Sequence, residues 1–312
     1  MADVFFQASK DALDNITRTY DFIHPLTVSM RYVRNKVSGL ISACPTINNL
    51  EIQAEIDPST EVHGVNYRAA FFDIAWNAQE EKIAWLLLNN LFAVHEGWAQ
   101  RLYEETFVGY GYTEMFVKNL EKKNLSQKLS SYFVTTKKLS SVMDGAFFDV
   151  YKNKSRLDFG KLDNYMLCYR CFKEARNCFM HGNFVASSRL IKAYADYLPK
   201  ATLTDLDVSE VPVFIPPTQG QPVELNLRGV IGFSQILRRI IIISDINLLR
   251  ATAAEKEFLD RKPDEWTMKI LSRNASSAKG QISRYAAKAG FLKARWTEGF
   301  QSFLVRNRIF SL

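Results

Sequence analysis

The chain has 312 residues, of which 47% are hydrophobic and 23% charged, and carries a formal net charge of +7. That much apolar material can bury one large core or two smaller ones, which excludes an intrinsically disordered chain. The basic excess is small for this length and fits a polyanionic partner without requiring one, so its distribution says more than its sum.

Met1-Ala2-Asp3-Val4-Phe5-Phe6 has neither the basic region nor the long apolar run of a signal peptide. Val4, Phe5, Leu13, Ile16 and Tyr20, then Leu26, Met30, Val33, Val37 and Leu40 after Pro25, predict two helices. Arg31, Arg34 and Lys36 make the second partly basic. Cys44-Pro45 breaks the pattern, and residues 47–65 alternate weakly between turns at Asp57-Pro58 and His63-Gly64, which reads as a loop with a short strand. From Asn66 to about Thr106, Phe71, Ile74, Ile83, Leu87, Leu91, Val94, Trp98 and Leu102 keep helical register as one long helix or two stacked ones. Glu96 lies there among apolar neighbours, as a partly buried carboxylate would. His95 reads as a helix-surface residue, kept as a candidate by its closeness to Glu96.

Residues 112–153 are again helical, with a break at Lys122-Lys123-Asn124 and a lysine-rich solvated face able to follow an RNA backbone. Lys161 to Asn183 forms a strongly amphipathic helix and Ala186 to Tyr197 another. After Pro199 the β-rich runs Val211–Ile215 and Val223–Leu227, separated by a Pro-Gly segment, predict a β-hairpin or protruding arm. Helix returns at Gly229 and runs to about Leu259. Its Ile240-Ile241-Ile242-Ile243 run lies between Arg238-Arg239 and Asp245, which marks a core helix and no membrane span. From Met268 onward nine cations, among them Arg284, Lys293 and Arg295, face the single acid Glu298. Tyr285 and Trp296 interleave with them, which suits single-stranded nucleic acid and equally suits packed helices with snorkelling cations.

Cysteines 44, 168, 171 and 178 include a lone Cys168-x-x-Cys171 without a second ligand pair, so reduced, mostly buried thiols are expected and no metal.

The chemistry concentrates at the end of the amphipathic helix. Leu162, Tyr165, Tyr169, Phe172 and Phe179 share one face, and Arg176 falls on the same line, where a permanently charged guanidinium demands an anionic partner or a wet cleft. Glu96 is the attractive partner. Asn177 and His181 stand one turn apart, and Gly182 can end the helix in a left-handed conformation.

Arg176, Asn177, three further residues and His181 resemble the Arg-polar-x-x-x-His signature of the HEPN superfamily, many of whose members are metal-independent endoribonucleases. The resemblance covers at most residues 66–199. It implies an all-α fold with a HEPN-like helical bundle at 66–199. A helical extension at 1–65 precedes it, and a β-hairpin followed by a basic helical region at 200–312 packs on it. It also implies RNA as substrate, no cofactor, a homodimer through the motif helix with a composite active site, and a cytoplasmic setting in a bacterial toxin or antiviral defence system under an antitoxin or other regulatory partner. In such a site His181 is the proton-transfer group, Arg176 stabilises charge on the phosphoryl oxygens, and Asn177 orients the imidazole or the phosphate. Glu96 and His95 support them. Lys173, Asn183, Arg284, Lys293 and Arg295 are the expected RNA contacts. The tyrosine that one branch of the family carries two residues after the histidine is Asn183 here, so its nucleotidyltransferase partner is not expected. Two rival readings are a HEPN-like module that binds nucleotide or RNA without cutting and a helical adaptor protein.

Overall fold

A computed structural model describes residues 3–59, 64–106 and 139–312, without the side chains of 103–106. The lysine-rich face expected between residues 118 and 138 lies outside the described residues. The fold is predominantly all-α, with two short strands in one sheet among those residues.

The two helices expected before Cys44 are one, α1 (Gln7–Ala43), which runs through Pro25. Proline removes one helical donor, but Asp21 and Pro25 are both exposed, so the freed carbonyl faces water while Ile23, Leu26 and Met30 go on packing. The expected loop and strand after residue 47 contain instead α2 (Asn49–Ile56). Asn48 Oδ1 accepts from the Leu50 and Glu51 N–H groups, and Glu51 Oε2 accepts from Asn48 N–H at 2.9 Å. This reciprocal capping outweighs the weak alternation, and it seats Ile52 against Val37, Ile41 and Tyr67. A π-helical turn at Ala69–Asp73 precedes α3 (Trp76–Thr106).

Beyond the short helices α4 (Ser141–Met143) and α5 (Asp149–Ser155), α6 (Leu162–His181) carries the motif. It packs between α3, α7 (Ser188–Tyr197) and α9 (Leu227–Leu248), with the short α8 (Leu203–Leu206) near its start. Phe172 stacks on Phe233 at 4.6 Å and 10°, and Phe92 also stacks on Phe233, at 5.3 Å, tying α6, α9 and α3 together. Apolar on most of its circumference, α9 is the core helix that its sequence predicts, but it ends at Leu248 and does not run on to about Leu259.

The expected β-hairpin at 211–227 does not form. Tyr197 Oη donates to Pro212 O at 2.7 Å, Asn226 Nδ2 to Val213 O, and Tyr194 Oη to Phe214 O, so side chains occupy the carbonyls that a strand partner would use. The second run pairs elsewhere, with Val223 N–H donating to Phe184 O and Ala186 N–H to Gln221 O. The first run lies so close on α9 that a Cβ at Gly229 would sit 1.9 Å from Val213 O. The strands that do form, β1 (Lys269–Ile270) and β2 (Phe310–Ser311), pair in parallel within the C-terminal region. There α10 (Ala253–Asp260), α11 (Ala275–Lys288) and α12 (Glu298–Arg306) complete the helices.

One core takes residues from 1–65, 66–199 and 200–312 alike. Its N-terminal clasp is polar. Phe5 and Phe6 N–H donate to the two carboxylate oxygens of Asp245 at 2.7 and 3.0 Å, Gln7 N–H donates to Glu257, and Arg261 Nη1 donates to Phe5 O. Asp245 thus holds the two residues that lead into α1, and Glu257 takes the first N–H of the helix itself, which has no acceptor within the helix. Phe5 then stacks on Phe291 at 4.6 Å.

Burial pushes the Asp245 carboxyl up from 3.8 to about 7, against the pull of its N–H donors. Its contribution to stability is therefore complete below pH 4 and declines as pH rises through about 7. Asp245→Ala, which strands two buried N–H groups, is expected to cost about 2–4 kcal/mol in urea denaturation. The loss should be larger at pH 4.5 than at pH 8 (roughly the two sides of that titration). A variant as stable as wild type at both pH values contradicts the clasp.

Candidate functional site

Helix α6 presents two chemically different faces near its end. Arg176 faces α3: its Nη2 lies 3.5 Å from Glu96 Oε2 and its guanidinium carbon 6.0 Å from the Phe92 ring centre. Glu96 therefore meets the anionic demand that the sequence placed on Arg176. The Arg176 Nε atom is buried without a hydrogen-bond partner among the described residues. Five residues further along an ideal helix is a rotation of about 140°, and His181 accordingly points elsewhere.

Asn177 and His181 line an open cleft of about 530 Å³ between the end of α6 and the start of α7. Glu174 shares it from the same helix, Arg189 faces it from the first turn of α7, and Cys178, Gly182, Val185, Ser187 and Ser188 complete its lining. Glu174, Asn177 and His181 follow each other at steps of three and four, so they form one polar ridge. His181 and Arg189 are exposed, whereas Glu174 and Asn177 are half-buried. Ser187 caps α7 by accepting from Leu190 N–H at 3.2 Å.

The turn after His181 departs from the expected glycine cap. Gly182 has φ −120°, and the left-handed positions are Asn183 at 48° and Phe184 at 67°. Asn tolerates that region, but Phe does so only under constraint. The constraint is visible: Phe184 packs edge-on to Phe179 and Trp85, donates its N–H to Cys178 O and accepts from Val223 N–H. Gly182 lies close under the end of the helix, where a Cβ would sit a tight 3.0 Å from Cys178 O.

His95 is buried, contrary to the surface position expected for it. The apolar face of α3 is broad where it meets α6, and the imidazole packs against Trp98 and Tyr169, with Nδ1 3.4 Å from Tyr169 Oη. Burial, reinforced by the nearby Lys173 charge, pushes its pKa down to about 3, so His95 is neutral at physiological pH. Lys173 is half-buried on the His95 side, and Asn183 is exposed in the turn.

Arg284, Lys293 and Arg295 are exposed on the C-terminal region and do not line the His181 cleft. Arg295 lies 3.5 Å from Asp149. The aromatic residues among them do not stand out for base stacking: Tyr285 is fully buried and Trp296 packs half-buried against the core. The packed-helix alternative, with cations reaching out from a buried apolar layer, holds there. Cys168 and Cys171 are buried free thiols whose pKa burial raises. No group of three His, Cys, Asp or Glu residues arranged to hold a metal ion occurs among the described residues. None of their helices is long and apolar enough to cross a membrane.

Comparison with family models, with curated proteins and with solved structures finds no match to this chain.

Sequence reasoning missed Glu174 and Arg189. Glu174 was within reach, because it lies seven residues before His181 on the same helical face. Arg189 belongs to another helix, and only the turn at residues 182–187 brings it over the cleft.

The Glu96–Arg176 pair is part-exposed on both sides, at 45% and 23% of the side chains, so solvent screens it. A double-mutant cycle with Glu96→Gln and Arg176→Met is expected to give a coupling of about 0.5–1 kcal/mol. Strict additivity in chemical denaturation would show that the two charges do not interact.

Proposed function

We propose that the protein is an endoribonuclease that cleaves RNA without a metal ion, using the RNA's own 2′-hydroxyl as nucleophile and His181 for proton transfer. The observation that carries the reading is the cleft itself, whose lining brings together an exposed imidazole at a helix end, an amide one turn before it and an exposed arginine from the next helix. An imidazole exchanges protons near neutral pH, and an arginine holds phosphoryl oxygens through parallel hydrogen bonds. The sequence resemblance to HEPN ribonucleases supports the same reaction. The setting that this resemblance implies belongs to the proposal: a cytoplasmic toxin or antiviral defence protein, homodimeric, acting on RNA under a regulatory partner.

Attack of the 2′-oxygen on the adjacent phosphorus expels the 5′-oxygen, leaving a 2′,3′-cyclic phosphate and a 5′-hydroxyl. Arg176, paired with Glu96 on the other side of α6, contributes here by fixing the rotation of the helix. That placement also favours a second reading, a nucleic-acid-binding module that does not cut, because the motif's arginine and histidine do not share a face.

One assay separates them. Purified protein is incubated with mixed tRNA and with unstructured RNA in EDTA, and product ends are analysed. Wild type is expected to yield cyclic-phosphate ends and a folded His181→Ala variant to lose about 10²-fold or more of the rate. RNA binding without cleavage by wild type would establish the binding module instead.

A further inference from the structure

Cleavage by a 2′-hydroxyl requires two proton-transfer groups and a cation, and one histidine supplies only one of the three. We propose that the α6–α7 cleft of a single chain holds the complete set: Glu174 as the base at the 2′-oxygen, His181 as the acid at the 5′-oxygen, and Arg189 as the cation on the phosphoryl oxygens. This rests on the endoribonuclease reading and gives that site its remaining residues.

The ridge sets the geometry. Glu174 and His181 are seven residues apart, about 10 Å along the helix axis between their Cα atoms, with Asn177 between them. Two side chains leaning inward over that interval can flank one phosphodiester. Arg189 lines the same cleft from α7. Arg176 cannot serve there, because it is turned toward Glu96. Neither Glu174 nor Arg189 has an ion-pair partner among the described residues, so their charges are not already spent on the fold.

The step balances without a further reactant. The Glu174 carboxylate takes the 2′-hydroxyl proton as the O2′–P bond forms. The His181 imidazolium gives its proton to the departing 5′-oxygen as the P–O5′ bond breaks. Asn177 orients the phosphate, and Arg189 offsets the negative charge on its non-bridging oxygens. Exchange with water restores both proton-transfer groups.

The test uses the full-length chain and a short single-stranded RNA, in EDTA, with melting curves to verify folding. Glu174→Gln and Arg189→Ala are each expected to lower cleavage by about 10²-fold or more. Glu174→Asp should recover part of the loss. On a second substrate whose 5′-bridging oxygen is sulfur, the leaving thiolate needs no acid, so His181→Ala should regain its rate and Glu174→Gln should not. Mixing the His181→Ala and Glu174→Gln proteins should restore nothing, because no chain then holds both groups.

Recovery on mixing would overturn the single-chain site in favour of one shared between copies. Rescue of Glu174→Gln by the sulfur substrate would overturn the assigned roles. A wild type that cuts while Glu174→Gln cuts equally well overturns this inference alone, whereas a wild type that cuts no RNA overturns the function together with it.

Discussion

Helix α6 can offer a polar ridge at His181 because its opposite face is held without freedom of rotation. Phe172 and Phe92 both stack on Phe233, so three helices meet through one cluster of rings. Aromatic stacking adds only about 0.5–1.5 kcal/mol per pair beyond area burial, but it fixes rotation as well as distance. The Glu96–Arg176 pair acts in the same sense one turn further on, drawing the guanidinium toward α3. With that face fixed, the 3.6-residue period leaves Glu174, Asn177 and His181 together on the open side. The rotation of one helix thus decides which of its polar residues hold the scaffold and which meet solvent.

The end of that helix is held by its own constraints. Phe184 sits in a backbone region that a bulky residue normally avoids, fixed by Phe179, Trp85 and the bond from Val223 N–H. Such strain persists only where the surroundings over-determine it. Here it reverses the chain within a few residues and sets the first turn of α7 against the last turn of α6. The segment around Val223 therefore matters to the cleft without lining it. The clasp of Asp245, Glu257 and Arg261 on residues 5–7 anchors α1 to the central helix α9 and to α10.

Much of this was legible in the sequence where one helix or one periodic face decided the outcome. The amphipathic motif helix, the core helix of Ile240–Ile243 and the demand of Arg176 for a carboxylate all follow from spacing and charge, because those signals are local. The failures share a different cause. A hairpin was expected from two β-rich runs, but Tyr194, Tyr197 and Asn226 take the carbonyls of the first, and residues 184–186 take up the second. Buried His95 looked like a surface residue because burial from α6 is invisible along α3 alone. The capping pair Asn48 and Glu51 was a local signal and was available. Arg189 was not, because its place depends on a turn built from left-handed Asn183 and Phe184.

In the proposed site His181 touches RNA, whereas the buried His95 cannot. The chain has four histidines, few enough to resolve individually by NMR with ring-labelled protein. The most direct measurement is therefore a titration of the labelled protein with an RNA whose 2′-hydroxyls are methylated, so that it binds without being cut. The account predicts that the resonance assigned to His181, identified by its absence in His181→Ala, shifts in proportion to binding while that of His95 stays in place. Saturable RNA binding that leaves the His181 resonance unmoved would contradict it.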